Sequence, residues 1–199
     1  MPKIVDHDER RRDVLDATWR VIARVGLEAT TVRRIAEEAG LANSVLAHYF
    51  KNKDDILISA HRLAFARARE RIEAATAAHS GLAALKIAID EALPLDAERF
   101  LEAQVDVSFL GQTVANDKLR EVRSASNVLS RALWSKLVRQ AQQAGEISPA
   151  EDDQLIVDEI LAVVESLSVE AIINPARMTP EHQERLVARL LSRISAEPS

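Results

Sequence analysis

Between Asn43 and Lys53 the chain reads Asn-Ser-Val-Leu-Ala-His-Tyr-Phe-Lys-Asn-Lys. These side chains suit contact with nucleic acid better than bond breaking. An Asn43 amide can pair bidentately with adenine, and Val45 can meet a thymine methyl. Ser44 and Ala47 are small enough to let a helix approach base edges, and His48 can donate to a base or a phosphate. Tyr49 can bury its ring edge and extend its hydroxyl. Lys51 and Lys53, with Arg33 and Arg34 upstream, can neutralise phosphates. Arg10, Arg11 and Arg12 stand together at the start of the first expected helix, a further candidate phosphate clamp.

The residues of catalysis are poorly placed. None of the five histidines follows a Glu by three positions, so the Glu-x-x-His pairs of di-iron bundles are absent. No H-E-x-x-H, P-loop or G-x-S-x-G occurs. The chain has no cysteine, which removes disulfides, thiolate ligands and thiol nucleophiles together and fits a reducing cytosol. Glu151-Asp152-Asp153 falls at an expected helix start, where it complements the dipole. Neither an enzyme nor a bound cofactor or metal is expected. No apolar run of about 18 residues and no signal-peptide pattern is found, so a cytoplasmic protein off the membrane is expected.

Sparse glycine (5) and proline (6), with abundant Ala, Leu, Glu and Arg, point to an all-α fold of about nine helices. The net charge is −5, but residues 1–60 carry ten basic and ten acidic side chains. Bulk charge therefore argues for no nucleic acid, and only the placement of cations can.

Residues 1–8 read as a tail, and 9–25 as a first helix with Val14, Leu15, Thr18, Val21, Ile22 and Val25 on one face. Thr30 or Thr31 opens the second helix, Gly40 closes it, and a short turn leads into the third. A helix, a Gly-containing turn and a helix make the pattern of a helix-turn-helix. Asn52 caps a long fourth helix over 53–78, with Asp55 three residues on. Further helices are expected over 82–93, 96–114 and 117–144. Ser148-Pro149-Ala150-Glu151 and Thr179-Pro180-Glu181 are start signals for the eighth and ninth.

The eighth helix is apolar around much of its girth, so it needs cover on two sides. One side is the core. For the other, a second copy is expected, meeting Ile156, Ile160, Val164 and Leu167, with Leu186 and Leu190 of the ninth helix, in a four-helix bundle about a two-fold axis.

The run T-T-V-R-R-I-A-E-E-A-G-L followed by H-Y-F-K-N-K-D-D-I-L resembles the TetR family of bacterial transcriptional repressors, over about residues 10–60. Within it, V-L-A-H-Y-F is similar to the choline-responsive betaine-pathway repressors. The resemblance implies a DNA-binding domain over 1–53, a ligand-binding and dimerisation domain over 54–199, and a homodimeric repressor that a small-molecule inducer releases from a pseudo-palindromic operator. It places Thr31, Tyr49 and Lys53 on the DNA backbone, and Asn43, Ser44, Val45, Ala47 and His48 on the face towards DNA. Ala42 stands where relatives carry Ser or Thr at the helix cap, which leaves Asn43 as an alternative cap. Ser44 and Val45 also depart from the usual residues.

For the inducer, Phe65, Phe100, Gln104, Phe109, Trp134 and Leu137 are the candidate lining, with Glu102 and Asp106 as candidate partners for a cation. An aromatic cage for a quaternary ammonium needs several rings, and few are available. A helical protein-interaction adaptor without DNA binding is the alternative to a regulator.

Overall fold

The computed structural model describes residues 7–26 and 29–196. Among the described residues there are nine α-helices and no strand: α1 His7–Val25, α2 Val32–Ala39, α3 Asn43–Tyr49, α4 Lys53–Thr76, α5 Gly81–Ala92, α6 Ala97–Thr113, α7 Asp117–Gln143, α8 Asp153–Ile173 and α9 Pro180–Ile194. Of the expected tail at 1–8, His7 begins α1, and residues 1–6 lie outside the described residues.

The chain divides into two compact units. The first holds residues 1–65 and 104–123, and the second 66–103 and 124–199. The cut runs through α4, α6 and α7, so these helices are continuous between units.

In the first unit, α1 packs on α2 and α2 on α3. Val14, Leu15, Trp19 and Ile22 of α1, Ile35 and Ala36 of α2, and Leu46 and Phe50 share one core with Ile56, Leu57, Ile58 and Ala60 of α4. Val105, Phe109 and Leu119 complete it from the corner between α6 and α7. The apolar spacing drives this burial at roughly 25 cal/mol per Å² of surface removed from water. Trp19 donates its indole N–H to the Ala60 carbonyl at 3.0 Å, so a large ring is buried without an orphaned polar atom. Glu38 on α2 accepts from Arg20 and Arg24 of α1, at 2.9 and 2.8 Å. Hydrogen bonds from Arg20, then Arg24, hold its carboxyl below the usual range.

The second unit is built on Ala84, Leu85, Ala88 and Ile89 of α5, Trp134, Leu137, Val138 and Ala141 of α7, and Ile156, Val157, Ile160, Leu167 and Ala171 of α8. Val187, Leu190 and Leu191 of α9 close it. The two proline-containing start signals differ in outcome. α9 begins as expected, with Thr179 accepting from the His182 N–H and Pro180 in the first turn. α8 begins at Asp153 rather than at Pro149, because the Asp152 carboxylate accepts the Gln154 N–H at 2.9 Å and serves as the cap. Residues 148–151 instead form a turn, whose Ser148 and Glu151 carbonyls both accept from the Gln142 amide, at 3.2 and 2.9 Å.

Ser80 precedes α5 but makes no side-chain cap bond. The cap comes from 64 residues away: the Glu146 carboxylate accepts the Leu82 N–H at 2.7 Å. Gly81 has φ +61°, and a Cβ there would collide with that carboxylate. Among the described residues no helix is long and apolar enough to cross a membrane. Gly81→Ala is therefore expected to cost at least about 1 kcal/mol, from left-handed strain and loss of the Glu146 cap. Thermal unfolding followed by circular dichroism checks this, and an unchanged midpoint would refute it.

Candidate nucleic-acid interface

α3 is a seven-residue helix, too short to persist alone. It is held by its two ends and one face. At the start, Gly40 takes φ +66°, the left-handed conformation that glycine adopts without penalty. The Gly40 and Leu41 N–H groups then satisfy α2 carbonyls, at 3.2 Å to Glu37 and 2.8 Å to Ala36. At the inner face, Leu46 is fully buried and Phe50 nearly so. Those two anchors turn the rest of the helix outward. Asn43, Ser44, Ala47 and His48 are exposed, and Val45 and Tyr49 are half-buried.

Ala42 occupies the cap position and makes no side-chain bond. Asn43 is thus the first helical residue, on the outward face, and not the cap. Thr31, rather than Thr30, caps α2, its hydroxyl accepting the Arg34 N–H at 3.2 Å. Thr30 is buried and donates to the Gly26 carbonyl at 2.8 Å. Asn52 caps α4, accepting the Asp55 N–H at 2.9 Å, while Asp55 accepts from the Lys51 N–H at 3.3 Å. This fixes Lys53, half-buried, as the first residue of α4, directly after α3.

The arginines are less available than their number suggests. Arg33 is paired with Glu37 at 2.8 Å, four residues on, and that hydrogen bond raises its pKa further. Arg34 donates to the Ala29 carbonyl at 2.9 Å. Of the arginine cluster on α1, Arg11 folds inward: its guanidinium sits 4.8 Å over the Phe50 ring and donates to Ser59 Oγ at 2.8 Å and the Tyr49 carbonyl at 3.4 Å. The candidate phosphate clamp thus loses its middle member to a structural role. Arg11 braces the end of α3 against α1 and α4, a contact at separations of 38 and 48 residues that no local pattern announces.

Residues 14–60 match the bacterial regulatory proteins of the tetR family, and residues 81–196, more than half of the chain, match the C-terminal region of BetI-type transcriptional repressors. The chain belongs to the TetR family of bacterial transcriptional regulators. It is 28% identical over 199 residues to the HTH-type transcriptional regulator PksA of Bacillus subtilis (strain 168), spanning 99% of this chain and 95% of PksA. It is 30% identical over 155 residues to the regulator BetI of Burkholderia thailandensis, spanning 75% of each. Its fold is shared with a Saccharomonospora viridis transcriptional regulator solved in complex with choline: TM-score 0.88 at 21% identity, covering 96% of this chain and 100% of that one. These relatives are transcriptional regulators, not enzymes.

The six candidate inducer residues divide between the two units. Phe65, Gln104 and Phe109 belong to the first unit; Phe100, Trp134 and Leu137 belong to the second. Trp134 and Leu137 are core residues, 3% and 4% exposed. Phe109 stacks on the buried His61 ring, with centroids 4.3 Å apart at 8°, and Phe65 lies 6.5 Å from the same ring. Phe100 lines a cavity of about 400 Å³ in the second unit, walled also by Pro94, Leu95, Ala171, Pro175 and Met178.

The two candidate partners for a cation are already paired. Glu102 accepts from Arg71 at 2.9 and 3.2 Å. Asp106 contacts both Arg123 and His61 Nδ1, the latter at 3.3 Å. Burial works against the Asp106 charge, yet the His61 ring and the Arg123 guanidinium hold its carboxyl below the ordinary carboxylate range.

The candidate dimer residues lie largely within the second unit. Ile156, Ile160, Leu167 and Leu190 are buried by their own chain, none more than 5% exposed, and Val164 and Leu186 pack partly against the same core. The side of α8 that carries these residues faces the core of α5, α7 and α9, with Val164 and Leu186 left half-buried. Other residues of α8 are more exposed. Leu155 and Ile173 are 67% and 64% exposed, and Ala162 and Ser166 between them are exposed too. At 100° per residue these four share one stripe opposite Ile160.

Because the Asp106 pKa is depressed, its contribution to stability is present above the ordinary Asp value near 4 and is lost as pH falls through the folded value. Asp106→Asn is accordingly expected to lower stability at pH 7, with the gap to the native chain narrowing between pH 7 and a pH below the ordinary Asp value. Urea unfolding at the two ends of that range tests it; a gap independent of pH would show that the charge is not what matters.

Proposed function

We propose that this TetR-family regulator is a cytoplasmic homodimeric repressor that reads a pseudo-palindromic operator with α3. The observation that carries this is the outward face of α3. Four exposed residues that suit base contact, Asn43, Ser44, Ala47 and His48, are presented by a helix pinned on Leu46 and Phe50. In this reading α3 enters the major groove, Asn43 and Ser44 read base edges, and Val45 meets a thymine methyl. Thr31, Tyr49 and Lys53 hold phosphates and set the register. Arg33 contributes only by exchanging Glu37 for a phosphate. The functional division falls between residues 53 and 54, although the compact units divide differently.

A second copy supplies the other half-site. Its proposed seat is the exposed stripe of α8, Leu155, Ala162, Ser166 and Ile173, which is apolar or small and leaves little reason for such residues to face water. The α9 arginines Arg185 and Arg189 are exposed, while Asp158 of α8 is engaged by Arg131 of its own chain.

An inducer is proposed to bind in the helical unit that matches the BetI-type region. Glu102 and Asp106 are engaged by arginines, so a cation has no open carboxylate among the two expected. That pairing favours an uncharged molecule held by apolar surface, with the cavity at Phe100 as its seat.

Three outcomes test this reading. In a gel shift with the DNA upstream of its own gene, a sequence-preferring and salt-sensitive complex is expected, and its absence at low salt would end the repressor proposal. Lys53→Ala is expected to weaken every operator alike and to reduce the slope of log affinity against log salt by about one, the effect of freeing a single phosphate; a change confined to one base position would contradict its assignment to the backbone. Leu155→Arg combined with Ile173→Arg is expected to give monomers in light scattering and to lose the operator complex, while a variant that remains dimeric would move the interface elsewhere.

A further inference from the structure

The first compact unit includes residues 104–123, the end of α6, its corner and the start of α7, although nothing in their sequence resembles a DNA-binding segment. Their apolar side chains Val105, Phe109 and Leu119 are 1–2% exposed and belong to the same core as Leu46 and Phe50 of the reading helix. The polar contacts of this corner fall on one face of α4. Asn116 Nδ2 donates to Asp54 Oδ2 at 3.1 Å. One helical repeat later, His61 Nδ1 lies 3.3 Å from Asp106 Oδ1, and the His61 ring stacks on Phe109. Asp54, His61 and Phe65 are seven and four residues apart, so they line a single stripe of α4.

Asp54 is the second residue of α4, and the link from the end of α3 is the three residues 50–52. That link is itself taut. The Phe50 N–H closes α3 onto the Leu46 carbonyl at 2.9 Å, and Asn52 caps α4. Any displacement of the first turn of α4 is therefore passed to Lys53 and to α3. Asn116 is held firmly enough to act as a stop, because its Oδ1 accepts the Leu119 N–H at 3.2 Å and caps α7 while its Nδ2 reaches Asp54.

We infer that Asn116, at the corner between α6 and α7, is a positioning residue for operator reading: through Asp54 it fixes the start of α4 and so the pose of the recognition helix. The hydrogen bond at Asp54 and the His61–Asp106 contact clamp α4 at two points one repeat apart, which resists both sliding and rotation of the helix. Groove contacts demand placement within about half an ångström, so a contact that never touches DNA can govern affinity. The inference rests on the proposal that α3 reads the operator.

The test exploits the chemistry of the pair. Asn116→Asp keeps the oxygen that caps α7 but puts a carboxylate against Asp54. Asp54→Asn keeps an acceptor for Asn116. The double change restores the bond with donor and acceptor exchanged. Operator affinity by fluorescence anisotropy and thermal midpoint are measured for all four proteins. The expected result is an affinity lowered about tenfold in Asn116→Asp, near-native affinity in Asp54→Asn, and recovery in the double variant. Asn116→Ser, which can still cap α7 but cannot reach Asp54, should fall in the same direction as Asn116→Asp. Native affinity in Asn116→Asp, or an affinity loss the double variant fails to reverse, would overturn the inference. If the unaltered protein binds no operator at all, the failure belongs to the function proposed for α3 and not to this contact.

Discussion

The seven-residue helix α3 keeps its place only through contacts outside itself, and the rest of the first unit is arranged to supply them. α3 is well below the length at which a helix persists in water. Its order is borrowed from burial of Leu46 and Phe50, from the left-handed turn at Gly40 and from the capped start of α4. Leu46 of α3 and Phe50 just after it face inward, which leaves the exposed residues of α3 outside the core. This separation explains how Ala42, Ser44 and Val45 depart from common family residues without disturbing the fold. None of the three is needed to hold the helix.

The distribution of arginine follows from the same economy of anchors. Long helices with few aromatic residues leave gaps where charged side chains meet, and guanidinium groups fill them. Arg20 and Arg24 tie α1 to Glu38 on α2, and Arg11 braces Phe50. Arg71 joins Glu91 and Glu102, and Arg99 joins Glu91 and Asp96. Exposed pairs of this type contribute little individually, usually under about 1 kcal/mol. The pair at Glu102 is different, since that residue is 8% exposed and losing Arg71 would strand its charge. Two functional consequences result. In the first unit Arg11, Arg20, Arg24, Arg33 and Arg34 are all engaged within the chain. The acids expected to face a cationic inducer are neutralised from within.

The compact units do not coincide with the segments matched to the two family regions. The DNA-reading unit recruits the corner between α6 and α7, more than fifty residues beyond α3, because Val105, Phe109 and Leu119 complete its core. A three-helix bundle of about fifty residues buries a smaller fraction of its surface than a larger domain does. Borrowing a fourth side from distant helices raises that fraction and gives α3 and the α6–α7 corner a shared core.

Local pattern was enough for the helical class, the helix-turn-helix and the caps at Asn52 and Thr179, and it narrowed the α2 cap to Thr30 or Thr31. Each of these is a short-range fact: spacing along one helix, or a side chain bonding a backbone group three residues away. The same pattern also required α8 to have two apolar faces. It could not say which face is left open, since Ile156 and Leu155 are neighbours in the chain and differ only in what packs above them. Packing made that choice, and it made the rest of the long-range chemistry: the inward turn of Arg11, the cap that Glu146 gives α5, and the hold of Asn116 and Asp106 on α4. The shift of the α8 start from Pro149 to Asp153 has the same origin, because the Gln142 amide bonds the turn from outside. Such contacts join residues far apart in sequence, where no period or motif relates them and only the packed helices bring them together.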